Sequence, residues 1–507
     1  MKVNLNSKNI VLCCACGLLS VCAFPKFNLF FLMWIAFVPI TFIIMRANAI
    51  TAFLCGFLAG FIFNAFGLYW LVPMIHFNTD SYVQAIIAAS SLWLYLALYW
   101  GLWGFGLQKY ISFQKGKYLS WLIVIFGSCL WVFLEYARTY FLTGFPWMLI
   151  GYSQFEFSEI IQISEFTGVY GISFIIIFCN LCFYFWLSKK EKLFLYVGIL
   201  IILLGTIFGV FRIYKFKLFG EKEYNVSIVQ PNIDQYKKWN NEYRQEILSN
   251  IRKQALEVNK STPELVLWPE SVLPGLLPQD WQVYNHAKDL AVNSNSFNIM
   301  GSLYIQGYDN YFNVVLGFDS LGKCKFIHKK NHLVPFGEFI PLRKFTARFF
   351  GILNQMGDIE RGHDANVFNS GQLFIGPTIC SENFFPHIAR KFVLNGAKVL
   401  TNHTNDAWFF DTAAPYQHFM MNVFRAIENR KFMLVSANTG ISGIIEASGT
   451  VVDKTGVSKE ELLNGTFFQN EFKTFYTKFG DVFVSTCIVA LLVLVIFSRC
   501  KRRGNSW

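Results

Sequence analysis

The sequence predicts a two-part architecture, a multi-pass α-helical membrane domain joined to an α/β domain. Three observations predict it. The 507 residues are 54% hydrophobic and 18% aromatic, with 56 phenylalanines, which is too apolar for an ordinary soluble chain. Most of the apolar residues fall into runs long enough to span a bilayer. One long polar stretch, 213–479, interrupts those runs, and strand and helix patterns alternate along it.

The apolar runs lie at 8–24, 27–46, 49–74, 82–108, 118–138, 166–188, 193–212 and 480–498. The first also reads as a signal peptide, because Leu19-Ser20-Val21-Cys22 resembles a lipoprotein cleavage box. A second run follows almost at once, with Pro25-Lys26 making the turn, and this favours a span. Orientation follows from the basic residues of the short loops. With the N-terminus cytoplasmic, the inside loops carry Arg46, then Lys109, Lys115 and Lys117, then Lys189, Lys190 and Lys192; the tail adds Arg499, Lys501, Arg502 and Arg503. The short outside loops carry little beyond Lys26 and Arg138. The expected domains are therefore a seven-span unit over 1–212, an external domain over 213–479, and an eighth span with a basic cytoplasmic tail over 480–507.

The net charge of +12 fits this picture better than it fits nucleic acid, since the cations flank spans and no nucleic-acid motif is present. Of twelve cysteines, nine lie in or beside spans, Cys500 is in the tail, and only Cys324 and Cys380 fall in the polar region. That distribution argues against a disulfide framework, and no Cys/His spacing fits zinc. No metal or cofactor is expected. Inside the spans, Asn64 and Asn180 read as interhelical hydrogen-bond formers.

In the polar region, Tyr224–Gln230 alternates like a strand and 242–260 reads as a helix. Leu265–Trp268 is a short apolar strand, 279–293 a helix and Phe297–Ile305 a strand. Residues 311–328 suggest a hairpin closed by Asp319-Ser320-Leu321-Gly322. Leu373–Ile379 is an apolar strand, followed by a helix at 384–395, a strand at 398–402, a helix at 414–430 and a strand at 432–437.

Three residues at the ends of these strands carry chemistry. Cys380 follows an apolar strand, where a thiol faces a cleft and the next helix N-terminus can lower its pKa. The N–H of Ser381 can donate to an oxyanion. Glu270 ends Trp268-Pro269-Glu270, where proline stops strand pairing and a carboxylate suits a general base. Lys330 follows the hairpin and can offset charge on a carbonyl oxygen. Each has a plainer reading as a packed cysteine, a solvated loop acid or a surface lysine.

The order and spacing of these residues, with Lys329-Lys330-Asn331-His332-Leu333-Val334-Pro335-Phe336-Gly337-Glu338, resemble the carbon–nitrogen hydrolase (nitrilase) superfamily. That resemblance implies an αββα sandwich and a Glu-Lys-Cys triad. Seven spans before such a domain and one after it resemble, more narrowly, the apolipoprotein N-acyltransferase family of bacterial inner membranes. Thr143-Gly144-Phe145-Pro146-Trp147, Gly151-Tyr152-Ser153-Gln154, Thr167-Gly168-Val169-Tyr170-Gly171, Val229-Gln230-Pro231-Asn232-Ile233, Asn402–Asp406 with Ala407-Trp408-Phe409, and Asn438-Thr439-Gly440 agree with it.

The resemblance implies that Glu270 takes the thiol proton, Cys380 attacks and Lys330 holds the oxyanion. Glu338 would support the lysine, Glu382 matches another acid, and Trp239 matches an aromatic residue over the site. Ser381 departs from the aromatic residue that often follows the nucleophile. The implied donor is a membrane phospholipid, the acceptor is a diacylglyceryl-cysteine lipoprotein, and the catalytic domain faces the periplasm. Residues 339–362, with Phe339, Ile340, Phe349 and Phe350 among Arg343, Lys344 and Arg348, are a lid candidate that could instead be an ordinary packed helix. Two other readings stay open: a membrane-tethered amidase with the same triad, and a transporter with an accessory domain.

Overall fold

A computed structural model describes residues 6–113, 119–217, 219–220, 222–341, 343 and 358–504. The chain divides into two compact units, Met1–Ile213 with Phe479–Trp507, and Tyr214–Lys478.

The first unit is helical. Among the described residues, six helices are long and apolar enough to cross a membrane: Ala49–Gly67, Tyr82–Phe113, Ser120–Thr143, Val169–Lys189, Lys192–Phe216 and Val482–Arg499. The first two apolar runs are built differently from the expected single spans. Ser7–Cys22 is a shorter helix capped by Asn6, whose side chain accepts from the Asn9 N–H at 2.9 Å. The 27–46 run splits into a 3-10 turn, Phe30–Trp34, and a short helix, Val38–Ile44. Pro39 sits in the first turn of the latter, where its missing N–H is harmless but a continuous helix from upstream would lose a bond.

Close backbone approach organises the interior of this unit. A Cβ on Gly56 would lie 2.5 Å from the Trp100 carbonyl oxygen, and one on Gly104 would lie 2.5 Å from that of Ala52. Only glycine lets the 49–67 and 82–113 helices meet this tightly. Trp100 stacks on Phe37 at 4.8 Å and meets Trp131 edge-on at 5.0 Å. Ile199, Leu203, Ile207, Val489 and Ile496 are exposed, so two helices present apolar faces outward, as lipid-facing helices do. Asn180 ties elements together as expected, donating to Met33 O and accepting from Phe37 N, both at 2.9 Å. Asn64 instead bonds within its own helix, its amide donating to Gly60 O at 2.7 Å, one turn back.

The second unit is an αββα sandwich. Its strands are β1 (Glu223–Gln230), β2 (Leu265–Leu267), β3 (Leu276–Leu277), β4 (Phe297–Gln306), β5 (Asn310–Phe318), β6 (Cys324–Lys329), β7 (Phe368–Asn369), β8 (Phe374–Ile379), β9 (Val399–Thr404), β10 (Met433–Ala437), β11 (Gly443–Ile445), β12 (Val451–Lys454) and β13 (Glu461–Phe468). One sheet has the order β13-β1-β2-β4-β5-β6, with β3 also on β4; the other runs β12-β11-β10-β9-β8-β7. β1, β2 and β4 pair in parallel, as do β8, β9 and β10.

The period of two sorts side chains between two cores. Val226, Ile228, Leu265 and Leu267 point between the sheets, against Ile375, Ile379, Val399 and Leu434. Val229 and Val266 point the other way, into a core with Ile247, Ile251, Val283 and Leu290 of the helices Arg244–Val258 and Trp281–Ser294. Helices Pro386–Leu394 and Ala414–Asn429 pack on β8 and β10. Where a helix was expected from 384, a 3-10 turn, Cys380–Phe384, comes first, and Pro386 opens the α-helix.

Candidate active site

The chemistry gathers at the carboxyl ends of parallel strands, where the backbone leaves the sheet and side chains become free to converge. β2 ends in the buried Trp268, whose indole N–H donates to Asn298 Oδ1 at 2.9 Å. The Trp268 carbonyl accepts from His403 Nδ1 at 2.7 Å, and the Thr401 hydroxyl donates to His403 Nε2 at 2.9 Å. Beyond Pro269, the chain crosses β4 at Gly301. A Cβ there would lie 2.6 Å from the Glu270 Cα and 2.5 Å from the Pro269 oxygen. Glycine is therefore required for Glu270 to sit where it does.

Glu270, Lys330 and Glu338 meet in one buried cluster. Lys330 Nζ donates to Glu338 Oε1 at 2.9 Å and to Glu270 Oε1 at 3.4 Å. Asn313, in the middle of β5, bridges the same two oxygens from its amide at 2.7 Å and 2.9 Å. The remaining oxygens are also held, Glu270 Oε2 by the Asn405 N–H at 3.0 Å and Glu338 Oε2 by the Val334 N–H at 2.8 Å. Lys330 is only 1% exposed. Burial alone would lower its pKa, but Glu338 and Glu270 outweigh that and push it well up, so the ammonium stays charged.

Cys380 follows β8 and adopts φ 49°, a left-handed conformation that costs a non-glycine residue energy. The kink is held from outside. The Cys380 carbonyl lies 3.3 Å from Asn402 Nδ2 and 3.4 Å from His418 Nε2. His418 in turn contacts Asp406 Oδ1 at 2.8 Å and Asn383 Oδ1 at 3.0 Å. Burial pushes the Cys380 thiol pKa up, and the negative charge of Glu270 adds to this, while Lys330 acts in the opposite direction. This corrects the expected lowering by a helix N-terminus. The helix proper begins only at Pro386, so the thiol meets a carboxylate rather than a helix dipole. The resting sulfur is a thiol, and it needs a base.

Glu382 is fully buried and braces the site from behind. It accepts from Asn331 N at 2.5 Å, Ile379 N at 2.7 Å and His328 Nε2 at 3.4 Å. Burial would raise its pKa, but His328 and the two backbone N–H groups outweigh it and hold the carboxyl below its ordinary range. One side chain thus ties the residue before Cys380 to the residue after Lys330. Ser381 is buried, and its hydroxyl has no hydrogen-bond partner among the described residues. Trp239 is 47% exposed at the end of the short helix Gln235–Lys238. Of the lid candidate, 342 and 344–357 lie outside the described residues. Its base is anchored by Ile359 N to Glu338 O at 2.8 Å and by Arg343 to Asp358 at 2.6 Å.

Sequence reasoning missed Asn313, His403 and His418. A polar amide between Phe312 and the apolar β5 run Val314–Phe318 was the available signal for Asn313, because a buried amide needs a partner. His403 lies inside a stretch that carries the family resemblance, but nothing in it singles the histidine out, and His418 lies in a stretch whose only local pattern is helical.

Residues 16–182 match the apolipoprotein N-acyltransferase N-terminal domain, and residues 225–471 match carbon-nitrogen hydrolase. An apolipoprotein N-acyltransferase of Geobacter metallireducens is 32% identical over 491 residues, covering 94% of this chain and 93% of the relative. The chain belongs to the apolipoprotein N-acyltransferase family. A second apolipoprotein N-acyltransferase, from Rickettsia prowazekii, is 30% identical over 510 residues, covering 96% and 98% of the two chains. Among solved structures, a nitrilase-superfamily protein of Saccharomyces cerevisiae aligns with 17% identity over 49% of this chain and 91% of that one, with a TM-score of 0.39. An amidase from Nesterenkonia sp. aligns with 16% identity over 52% and 95%, with a TM-score of 0.40.

Proposed function

We propose that this chain carries out the acyl transfer for which its family is named, with Cys380 as nucleophile, Glu270 as proton carrier and Lys330 as oxyanion partner. The donor in this reading is a membrane phospholipid, and the acceptor is the N-terminal amine of a diacylglyceryl-cysteine lipoprotein. The observation that carries the reading is the buried Glu270–Lys330–Glu338 cluster beside a strained strand-end thiol, in a chain with six membrane-length apolar helices among its described residues.

In the first half, Glu270 takes the proton of Cys380 as sulfur attacks the ester carbonyl. Negative charge on the carbonyl oxygen is met by Lys330 Nζ and the Ser381 N–H. The carbon–oxygen bond breaks, the proton returns to the leaving alkoxide, and a lysophospholipid departs. In the second half, the lipoprotein amine attacks the thioester, Glu270 takes the amine proton, and the carbon–sulfur bond breaks. The thiolate recovers the proton and an amide is left. Asn313 bridges Glu270 and Glu338 and, with Lys330, holds the two carboxylates together, and Glu382 fixes the nucleophile relative to the lysine. Trp239 would limit water at the thioester.

The distribution of Lys and Arg between loops supports an inner-membrane enzyme with the catalytic domain on the periplasmic side. Purified protein incubated with labelled phosphatidylethanolamine should carry an acyl group on Cys380, visible by mass spectrometry, and should pass it to a diacylglyceryl peptide. Absence of the adduct, with activity surviving in Cys380→Ala, would overturn the reading. Release of ammonia from a small amide, without acylation, would point to an amidase instead.

A further inference from the structure

Lys238 is a second buried lysine beside the site, and its surroundings differ from those of Lys330. It is 1% exposed. Its Nζ reaches one acceptor, the main-chain carbonyl of Glu270 at 3.4 Å, and lies 6.0 Å from the Trp239 ring. Among the described residues, no carboxylate pairs with it. Burial pushes its pKa down to about 8, against the opposing pull of Glu270. An ammonium without a counter-charge is costly to bury, by several kcal/mol when fully desolvated.

The same side chain lines a cavity of about 210 Å³, bounded also by Trp239, Asn240, Arg244, Leu276 and Asp280. Arg244 is neutralised there by its ion pair with Asp280. The wall is left with one uncompensated positive charge, on Lys238. The cavity is small for a fatty chain, is lined by both polar and apolar groups, and is linked to the backbone of the proposed base through Lys238.

We propose that this cavity is the subsite for the phosphodiester of the acyl donor, with Lys238 as its anion-binding residue and a donor-specificity determinant. The inference rests on the reading of the donor as a phospholipid. A phosphodiester carries one negative charge, which matches the single unpaired cation. Arg244 and the Asn240 amide add donors around it. Binding there would hold the headgroup against the segment that carries Glu270, and so orient the neighbouring ester toward Cys380.

The test uses the full chain in detergent and follows acylation of Cys380 from two donors, phosphatidylethanolamine and the phosphate-free p-nitrophenyl palmitate. Lys238→Met should raise KM for the phospholipid by about tenfold, the size expected for one charge-assisted hydrogen bond. The phosphate-free ester should react within about twofold of its original rate, which also shows that the variant is folded. Lys238→Arg should restore much of the phospholipid KM. Equal losses with both donors would make Lys238 a purely structural residue, and no change with either would leave the cavity without an anion role; either result overturns the proposal. Inorganic phosphate is the soluble probe, and competition as tight as that of the lipid would assign a free-phosphate site instead. Wild-type acylation by the ester but not by phosphatidylethanolamine would sink the phospholipid reading itself, a different outcome from any of these.

Discussion

The two units bury different things. The membrane unit fills its interior with glycine contacts and aromatic rings, as where Gly56 meets the Trp100 backbone and Trp100 stacks on Phe37. The catalytic unit has an apolar core between its sheets but concentrates charge at one end of them, with Lys330, Glu270, Glu338 and Glu382 all largely buried and each hydrogen-bonded. In lipid, shape is the main available source of specificity between helices, because apolar burial drives little. In the catalytic unit, polar groups can be afforded inside only where each finds partners. The difference teaches where each unit is brittle: the first at small residues, the second at its polar network.

The largest effect should come from the network's reactive end. Cys380→Ala should abolish acyl-adduct formation, and Glu270→Gln should lower its rate by at least about a hundredfold, as loss of a general base does, read by single-turnover mass spectrometry. If Glu270→Gln kept near-normal rates, the proton carrier would have to lie elsewhere.

Acid should strike the catalytic unit next. His403 is buried, and its pKa is lowered to about 4 by burial, with the Trp268 carbonyl opposing. Above about pH 6.5 it is neutral whether folded or unfolded, and its contribution is fully present. As pH falls from there to about 4, the unfolded chain takes up a proton that the folded one resists, so stability is lost, by up to about 3 kcal/mol. His332 and His387 are also lowered to about 4, so the comparison needed is wild type against His403→Gln, by thermal unfolding from pH 7.5 to 4.5. Parallel curves would show that His403 does not contribute.

In the membrane unit, Gly56→Val should destabilise by about 1–3 kcal/mol through overpacking. The readout is the detergent melting temperature, and a neutral result would mean the two helices can separate freely. The smallest effect should be that of Ser381→Ala. The hydroxyl is buried without a partner among the described residues, so removing it should change stability by no more than about 0.5 kcal/mol. A larger loss would reveal a contact to the Ser381 hydroxyl.

Much of this protein was legible along the chain. The apolar runs marked the membrane unit because a bilayer sets a length that few soluble helices share. The order Glu270, Lys330, Cys380 marked the site because each follows a strand end. Short elements were less legible. β3, β7, β11, β12 and β13 were not anticipated; most are only two to four residues long, and the longer β13 is half-exposed along much of its length. The break inside the 27–46 run was not legible because hydropathy counts residues, whereas Pro39 decides where a helix can start.

By itself the sequence determined the two-part class, the membrane character and the candidate reactive residues, since composition, period and order are properties of the chain. Only the tertiary structure decided how those residues are paired. Asn313 on β5 and Asn405 just past the end of β9 both reach Glu270, and Glu382 joins Ile379 to Asn331 across 48 positions of sequence between the two residues it holds. The same is true of the Cys380 thiol. Its local sequence pointed to a lowered pKa, but burial and the approach of Glu270 raise it, because protonation depends on the charges and solvent around a group and not on its neighbours in the chain.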